Sequence, residues 1–283
     1  MFTCAARLLE KTKAAPKAQI LDHVKSIALH ERDPLAMTLH AQVLGLREEY
    51  TPALALIEEV MQAIYPASSR PKTMFPQGFR TPWYICEWLK REVGDDAGAD
   101  EVVKVAALEY QEPQALIRYA GRLMQEGNLE LYEESMSKAA AGGHPEACQK
   151  LANFYLLTSL GRYPRRGEKE CPTAEEIEKE KEEQATRNRK WSLSSFFNRS
   201  LPRADYHKLA REWYEVACIH GSHDAALTFS LLLRQEGDYA LGRYYLDMAA
   251  QQSDLASAIR GYRVNWDKGN IAMGAEHFTR LAV

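Results

Sequence analysis

Apolar positions recur at three- and four-residue spacing along nearly the whole chain, which is the spacing of one helix face. No sustained alternation of apolar and polar residues predicts a strand. Four prolines follow polar residues at the start of such segments, where a missing backbone N–H costs a helix nothing. The sequence therefore predicts an all-α protein, with helices that begin at or near Pro34, Pro82, Pro113 and Pro145.

Two distant stretches of the chain repeat one another. Residues 112–147 align with residues 223–256, and five landmark positions match at equal offsets. Each copy reads as a helix, a turn containing glycine, and a second helix. Such a hairpin cannot bury both of its faces alone, so neighbouring hairpins must stack into an α-solenoid. The matched pairs are Ala115 with Ala225, Ala120 with Ser230, Leu123 with Leu233, Gly127 with Gly237, and Ala139 with Ala249.

Two short motifs carry a family resemblance. One motif, at the start of a repeat, is A-C-Q-K-L-A-N-F-Y at residues 147–155. The other motif, at the end of a repeat, consists of Trp213, Tyr214, Ala217 and Ala225. The end-of-repeat motif occurs again at residues 244–250. Over about residues 111 to 283 the chain resembles the Sel-one-like subclass of the tetratricopeptide superfamily. This resemblance implies an α-solenoid of antiparallel helical hairpins.

The N-terminal region, residues 1–110, has a weaker form of the same pattern. Residues 33–65 and 79–110 each read as a tetratricopeptide-like hairpin. Before them, residues 2–13 and 17–30 read as a helical pair that caps the array, as terminal repeats must. We therefore expect degenerate hairpins over 1–110, followed by Sel-one-like repeats over 111–283.

An insertion over residues 159–204 splits one of the repeats, and it is far longer than an ordinary connection between packed helices. Thr173 and Glu176 form a capping box, which predicts a solvated helix from about residue 174 to 189. We assign the carboxylates of this segment, Glu175 and Glu176 among them, to an exposed helix face rather than to acid–base chemistry.

The end of the insertion is free of acidic residues and mixes aromatic with basic side chains. The aromatic side chains either fold back onto the solenoid, contact a partner protein, or stack on RNA or an anionic membrane. The acidic block beside this segment weighs against nucleic acid. The candidate contact residues are Arg187, Arg189, Lys190, Trp191, Phe196 and Phe197.

The composition and the motifs of the chain argue against a catalytic function. The chain holds 36 Lys+Arg and 39 Asp+Glu, so its formal charge of -3 gives no bulk basic field. Phosphate loops, nucleophile elbows and metalloprotease motifs do not occur. Cys218, His220 and His223 are the nearest approach to a metal site, but a structural turn accounts for them better. We expect neither a cofactor nor a metal, and no enzymatic activity.

The cysteines and the N-terminus bear on the compartment. Five cysteines, an odd number without a C-x-x-C pair, favour a reducing intracellular compartment over a disulfide framework. The first residues carry Arg7, Lys11, Lys13 and Lys17 against Glu10, which is similar to a mitochondrial transit peptide or simply to a first helix. The mitochondrion is slightly favoured over the cytoplasm, and no membrane span is expected.

The resemblance implies that the first helix of each repeat lines a concave face. The residues placed there are largely apolar, which favours a peptide or an amphipathic helix as the ligand. We therefore predict a scaffold or adaptor that binds protein; an organellar RNA-associated factor is the alternative. Tight stacking that buries the apolar members is an equally weighted interpretation. The predicted residues are Ile117, Met124, Asn153, Leu156, Leu227, Leu231, Arg234, Tyr262, Asn265 and Trp266.

Overall fold

The computed structural model describes residues 19–65, 79–168, 170–186 and 201–251. Over these residues the chain is all-α, with twelve helices and no strand. The helices are α1 (Gln19–His30), α2 (Pro34–Leu46), α3 (Tyr50–Ile64), α4 (Pro82–Glu92), α5 (Asp96–Leu108), α6 (Pro113–Gln125), α7 (Leu129–Ala141), α8 (Pro145–Ser159), α9 (Ala174–Thr186), α10 (Arg203–Ile219), α11 (His223–Gln235) and α12 (Tyr239–Ala249).

Proline marks the helix starts as predicted. Each of the four prolines is the first residue of its helix, namely α2, α4, α6 and α8. Two of these starts are also capped by the preceding side chain. Asp33 Oδ1 accepts from the Ala36 N–H at 2.8 Å, and Thr81 Oγ1 accepts from the Tyr84 N–H at 3.4 Å. These caps satisfy N–H groups that have no partner inside the helix.

The glycine turns of the two repeat copies have the same geometry. Gly127 and Gly237 take φ values of +76° and +88°, a conformation that strains any residue with a Cβ. The N–H of Asn128 returns to the carbonyl of Leu123 at 2.8 Å, closing the end of α6. Asn128 and Asp238 then cap the helices that follow. The glycine-containing turn predicted in each copy is confirmed, and its glycine is left-handed in both.

The chain divides into two compact units, the first ending at Arg122 and the second starting at Leu123. In the first unit each of α1 to α4 packs against the next helix, and α2 also contacts α4. The pairs α2 with α3 and α4 with α5 lie in the segments 33–65 and 79–110, where hairpins are predicted. The cap predicted over 17–30 corresponds to α1, whereas residues 2–13 lie outside the described residues.

The second unit stacks its helices in the same manner. α7 packs on α8, α10 on α11, and α11 on α12. α8 packs directly on α10, so the two halves of the split repeat close into a hairpin around the insertion. Each unit is thus built of stacked helical hairpins, the construction of an α-solenoid.

Small buried residues let these helices approach closely. Ala120, Ala152 and Ser230 are all fully buried. Larger side chains fill the remaining space in the second unit. Tyr214 is fully buried, and its ring stacks on Phe229 with the centroids 5.8 Å apart. The cores are therefore close-packed around a repeated small position.

Candidate functional site

A cleft of about 450 Å³ lies wholly within the second unit. Its walls are the turn that leads into α7, the first turns of α7, the later part of α8, residues 164–168 of the insertion, and the start of α10. One wall is thus contributed by the insertion and not by a repeat. The charged and aromatic lining residues are Glu126, Glu130, Glu133, Glu168, Arg165, Arg166, Phe154 and Tyr206.

Carboxylates outnumber guanidinium groups around the cleft. Glu130 Oε1 accepts from the backbone N–H of Gly167 at 3.2 Å, and Glu133 Oε1 accepts from the Tyr155 hydroxyl at 3.0 Å. These donors are neutral. Among the described residues, no cation lies within ion-pair distance of Glu126, Glu130 or Glu133. The cleft therefore has an excess of negative charge.

Burial changes the pKa of Tyr155, which lies beside the cleft. Tyr155 is buried, and its hydroxyl donates to a carboxylate, so burial first and Glu133 second raise the pKa of its phenol. The hydroxyl therefore stays protonated and remains a donor. This bond orients the Glu133 carboxylate at the cleft wall.

An ion-pair network secures the insertion wall. Arg165 bridges two carboxylates, with Nε 2.8 Å from Glu168 Oε1 and Nη1 2.7 Å from Glu180 Oε1. Burial alone would raise the pKa of Glu168, but hydrogen bonds from the side chain and backbone of Arg165 outweigh it and lower that pKa. Both acids belong to the insertion, so the network joins residues 165–168 to α9.

Arg203 connects this network to the repeats. It is the first residue of α10, and its side chain is only 7% exposed. Nε lies 3.4 Å from Glu180 Oε2 and Nη2 lies 3.6 Å from Glu168 Oε2; these are ion-pair distances without hydrogen-bond geometry. Nη1 donates to the carbonyl of Thr158 in α8. A buried guanidinium is thus shared between α8 and the insertion.

The predicted insertion helix is confirmed in α9. Its capping box is formed, with the Thr173 N–H donating to Glu176 Oε2 at 2.8 Å and the Glu176 N–H donating to Thr173 Oγ1 at 3.3 Å. Glu175 and Glu176 are exposed, as predicted. Glu180 differs from the exposed-face prediction because it turns inward to Arg165 and Arg203. The candidate contact residues at 187–197 lie outside the described residues.

Most apolar residues predicted for a concave groove lie in the cores of the two units. Ile117, Leu156, Leu227 and Leu231 have exposures between 2% and 5%. The stacking interpretation therefore accounts for these four, because neighbouring helices cover them. Their assignment to a partner-binding surface stays a prediction.

The remaining members of that list are more varied. Asn153 is half-buried, and its Oδ1 accepts a hydrogen bond from the Tyr214 hydroxyl at 2.6 Å. Its side chain is therefore engaged with the core. Met124 and Arg234 are partly exposed. Tyr262, Asn265 and Trp266 lie outside the described residues.

The network of Arg165, Glu168, Glu180 and Arg203 was missed by the sequence analysis. Arg203 and Thr158 are 45 residues apart in the chain, and no local pattern links them. The split repeat supplies the one available signal. Since α8 and α10 must close into a hairpin, the residues at the two ends of the insertion have to meet.

The histidine and cysteine residues near 220 form a turn. His220 is the C-cap of α10, Gly221 has a φ of +87°, and Ser222 caps α11 by accepting from the Ala225 N–H at 3.2 Å. His223 Nδ1 lies 3.1 Å from the carbonyl oxygen of Met248. Within the part of the chain that the structure describes, no cluster of three or more metal-ligating side chains occurs. Cys86, Cys148, Cys171 and Cys218 are free thiols.

Comparison with known proteins does not identify a family for this chain. No known family model matches the chain, and no curated protein matches it. Among solved structures, the chain is similar to a monomeric mutant of IFIT1 with m7Gppp-AAAA, at 12% identity and a TM-score of 0.41. The similarity covers 92% of this chain and 63% of that chain, so this chain spans less than two thirds of the length of the IFIT1 structure.

Over the residues described here, no helix is both long and apolar enough to cross a membrane.

Proposed function

We propose that the protein is a non-enzymatic helical-repeat adaptor, which holds a segment of a partner protein in the cleft of its second unit. The observation that carries this proposal is the cleft itself, which is lined by charged and aromatic side chains and walled on one side by the insertion. Helical-repeat units offer such surfaces without any catalytic group. The repeat motifs at 147–155 and 213–225 support a Sel-one-like form of this architecture.

The charge of the cleft favours a basic segment. Glu126, Glu130 and Glu133 present carboxylates to it, while Arg165 is already engaged by Glu168. A lysine or arginine side chain would place its charge among these acids, where opposite charges attract. Phosphate groups of RNA would meet repulsion at the same acids. The cleft therefore supports the protein-adaptor proposal over the RNA alternative.

Differential affinity capture tests this proposal. Wild-type protein and a variant with Glu126→Gln, Glu130→Gln and Glu133→Gln serve as baits in extracts of the native organism, with nuclease added. A partner bound through the cleft is expected to fall at least about tenfold in yield with the variant, since its cations lose their counter-charges.

A second triple variant provides the matched control. Glu31→Gln, Glu109→Gln and Glu212→Gln remove the same charge from exposed positions outside the cleft. This control should retain the partner. Equal loss with both variants, or loss of every bound protein on nuclease treatment, would contradict a protein ligand in the cleft.

We also propose an intracellular reducing compartment, with the mitochondrion favoured. Three of the four described free cysteines are buried thiols, namely Cys86, Cys148 and Cys218, which is compatible with a reducing environment. Imaging of the full chain fused at its C-terminus to a fluorescent protein tests this. A version that lacks residues 1–18 should lose mitochondrial localisation; unchanged localisation would contradict a targeting role for those residues.

A further inference from the structure

The insertion forms a discrete element, which we call the strap, made of residues 160–168 and 170–180. The hairpin of α8 and α10 closes without it, since these two helices pack directly on one another. The strap contributes Pro164, Arg165, Arg166, Gly167 and Glu168 to the wall of the cleft. Its position therefore determines how open the cleft is.

The two parts of the strap hold each other. Arg165 joins Glu168 to Glu180 of α9 through the hydrogen bonds already described. Ile177 of α9 packs onto Gly161, where the missing side chain leaves it room. Cys171 Sγ lies 3.3 Å from the carbonyl oxygen of Arg162. These internal contacts let residues 160–168 and the first turns of α9 behave as one body.

An aromatic contact attaches the strap to the repeats. Of the side chains described in α9, residues 174–180, Ile177 and Glu180 are partly buried and the others are exposed. Ile177 contacts the strap itself. The ring of Tyr163 stacks on Phe154 of α8, with the centroids 5.6 Å apart. Opening the strap separates these two rings, but it leaves the packing of α8 on α10 intact.

Polar contacts make up most of the remaining attachment. The Arg166 N–H donates to the Tyr206 hydroxyl at 3.3 Å, and the Gly167 N–H donates to Glu130 Oε1 at 3.2 Å. Arg203 of α10 adds the ion pairs to Glu168 and Glu180. Water can replace the two backbone contacts on opening, whereas the buried guanidinium of Arg203 depends on the two acids of the strap.

We propose that the strap pivots as a single body from the end of α8, opening and closing the cleft while the repeats stay folded, and that Arg203 is its latch. Gly161, with a φ of +78°, lies at the point where the strap leaves α8. The closed arrangement is the one seen in the structure. Opening admits a partner segment to the carboxylates on α7.

Amide hydrogen exchange by NMR on the full chain tests the pivot without any partner, so its outcome is independent of the proposed adaptor function. In the wild type, the amides of Arg166 and Gly167 should exchange at least tenfold faster than the core amides of α8 and α10. The α9 amides from Ile177 to Glu180 should keep their protection while the strap opens. Equal rates in strap and repeats would overturn the proposal, because opening would then require global unfolding.

Arg203→Met tests the latch, and Arg211→Met is its control. Arg211 also lies on α10, but it pairs with Glu236, far from the strap in sequence. Arg203→Met should accelerate exchange at Arg166 and Gly167 at least tenfold further and leave α9 protected, whereas Arg211→Met should leave both unchanged. Unaltered strap exchange in Arg203→Met would contradict the latch, and simultaneous loss of α9 protection would contradict a rigid pivot. If Arg203→Met does not fold, Arg203→Gln makes the same test, because its side-chain amide removes the charge and can still donate a hydrogen bond to the carbonyl of Thr158.

Discussion

The repeated hairpins and the strap are stabilised by different interactions. In the hairpins, small residues such as Ala120 and Ser230 are fully buried and large neighbours such as Leu233 fill the space around them. The strap has an ion-pair network in place of such a core, with Arg165 and Arg203 set between Glu168 and Glu180. Packing scales with buried apolar area, whereas ion pairs depend on geometry and offset their own desolvation. The repeats should therefore be stable and the strap separable.

The largest expected effect distinguishes a repeat core from the strap. Leu233→Ala empties a fully buried position in α11 and should lower the free energy of unfolding by about 2 to 5 kcal/mol. Leu160→Ala, at a strap position that is 56% exposed, should change it by less than about 0.5 kcal/mol. Urea denaturation followed by circular dichroism measures both. Similar losses would mean that the strap shares the stability of the repeats.

A smaller effect concerns the turns that join the helices. Gly127→Ala forces a Cβ into a left-handed conformation and should cost about 1 kcal/mol. Glu48 has the same conformation without being glycine, with a φ of +65° at the end of α2. Glu48→Gly should therefore raise the free energy of unfolding by about 0.5 to 1 kcal/mol. Thermal and urea unfolding of both variants check this; a loss of stability in Glu48→Gly would contradict the strain argument.

The smallest effect is a pH dependence of opposite sign in two regions. In the first unit, burial raises the pKa of Glu112, although a hydrogen bond from Tyr65 opposes this. Its contribution to stability is therefore present at low pH and is lost as pH rises through the folded pKa. The pKa of Glu168 is lowered, so its contribution is present above the unfolded pKa near 4.5 and is lost as pH falls through the folded pKa.

Two glutamine variants separate these contributions. The difference in unfolding free energy between wild type and Glu168→Gln should shrink as pH falls below about 4.5, since glutamine resembles the protonated acid. Glu112→Gln should be stabilising at neutral pH and lose that advantage on acidification. Urea unfolding between pH 3 and pH 7 measures both differences. The same pH trend in the two variants would contradict the opposite pKa shifts.

The sequence predicts the helices of this protein better than its site. Proline at the first position of a helix and glycine after its end act locally, so Pro145 and Gly127 give boundaries that the structure confirms. The groove residues are harder to predict from the sequence, because helical spacing of apolar residues does not distinguish a buried core from an exposed groove. Leu227 and Leu231 have the predicted spacing and are nevertheless buried. Arg203 joins Glu168 only through tertiary packing, which no sequence pattern near either residue encodes.

The central claim is that the partner occupies the cleft beside the strap. A photo-activatable amino acid introduced at position 166, on the exposed strap wall, tests it most directly when compared with the same group at exposed position 212 of α10. The account predicts that irradiation links the captured partner to position 166, through a lysine- or arginine-containing peptide of that partner, and gives no link from position 212. Equal linkage from both positions, or linkage from position 212 alone, would contradict it.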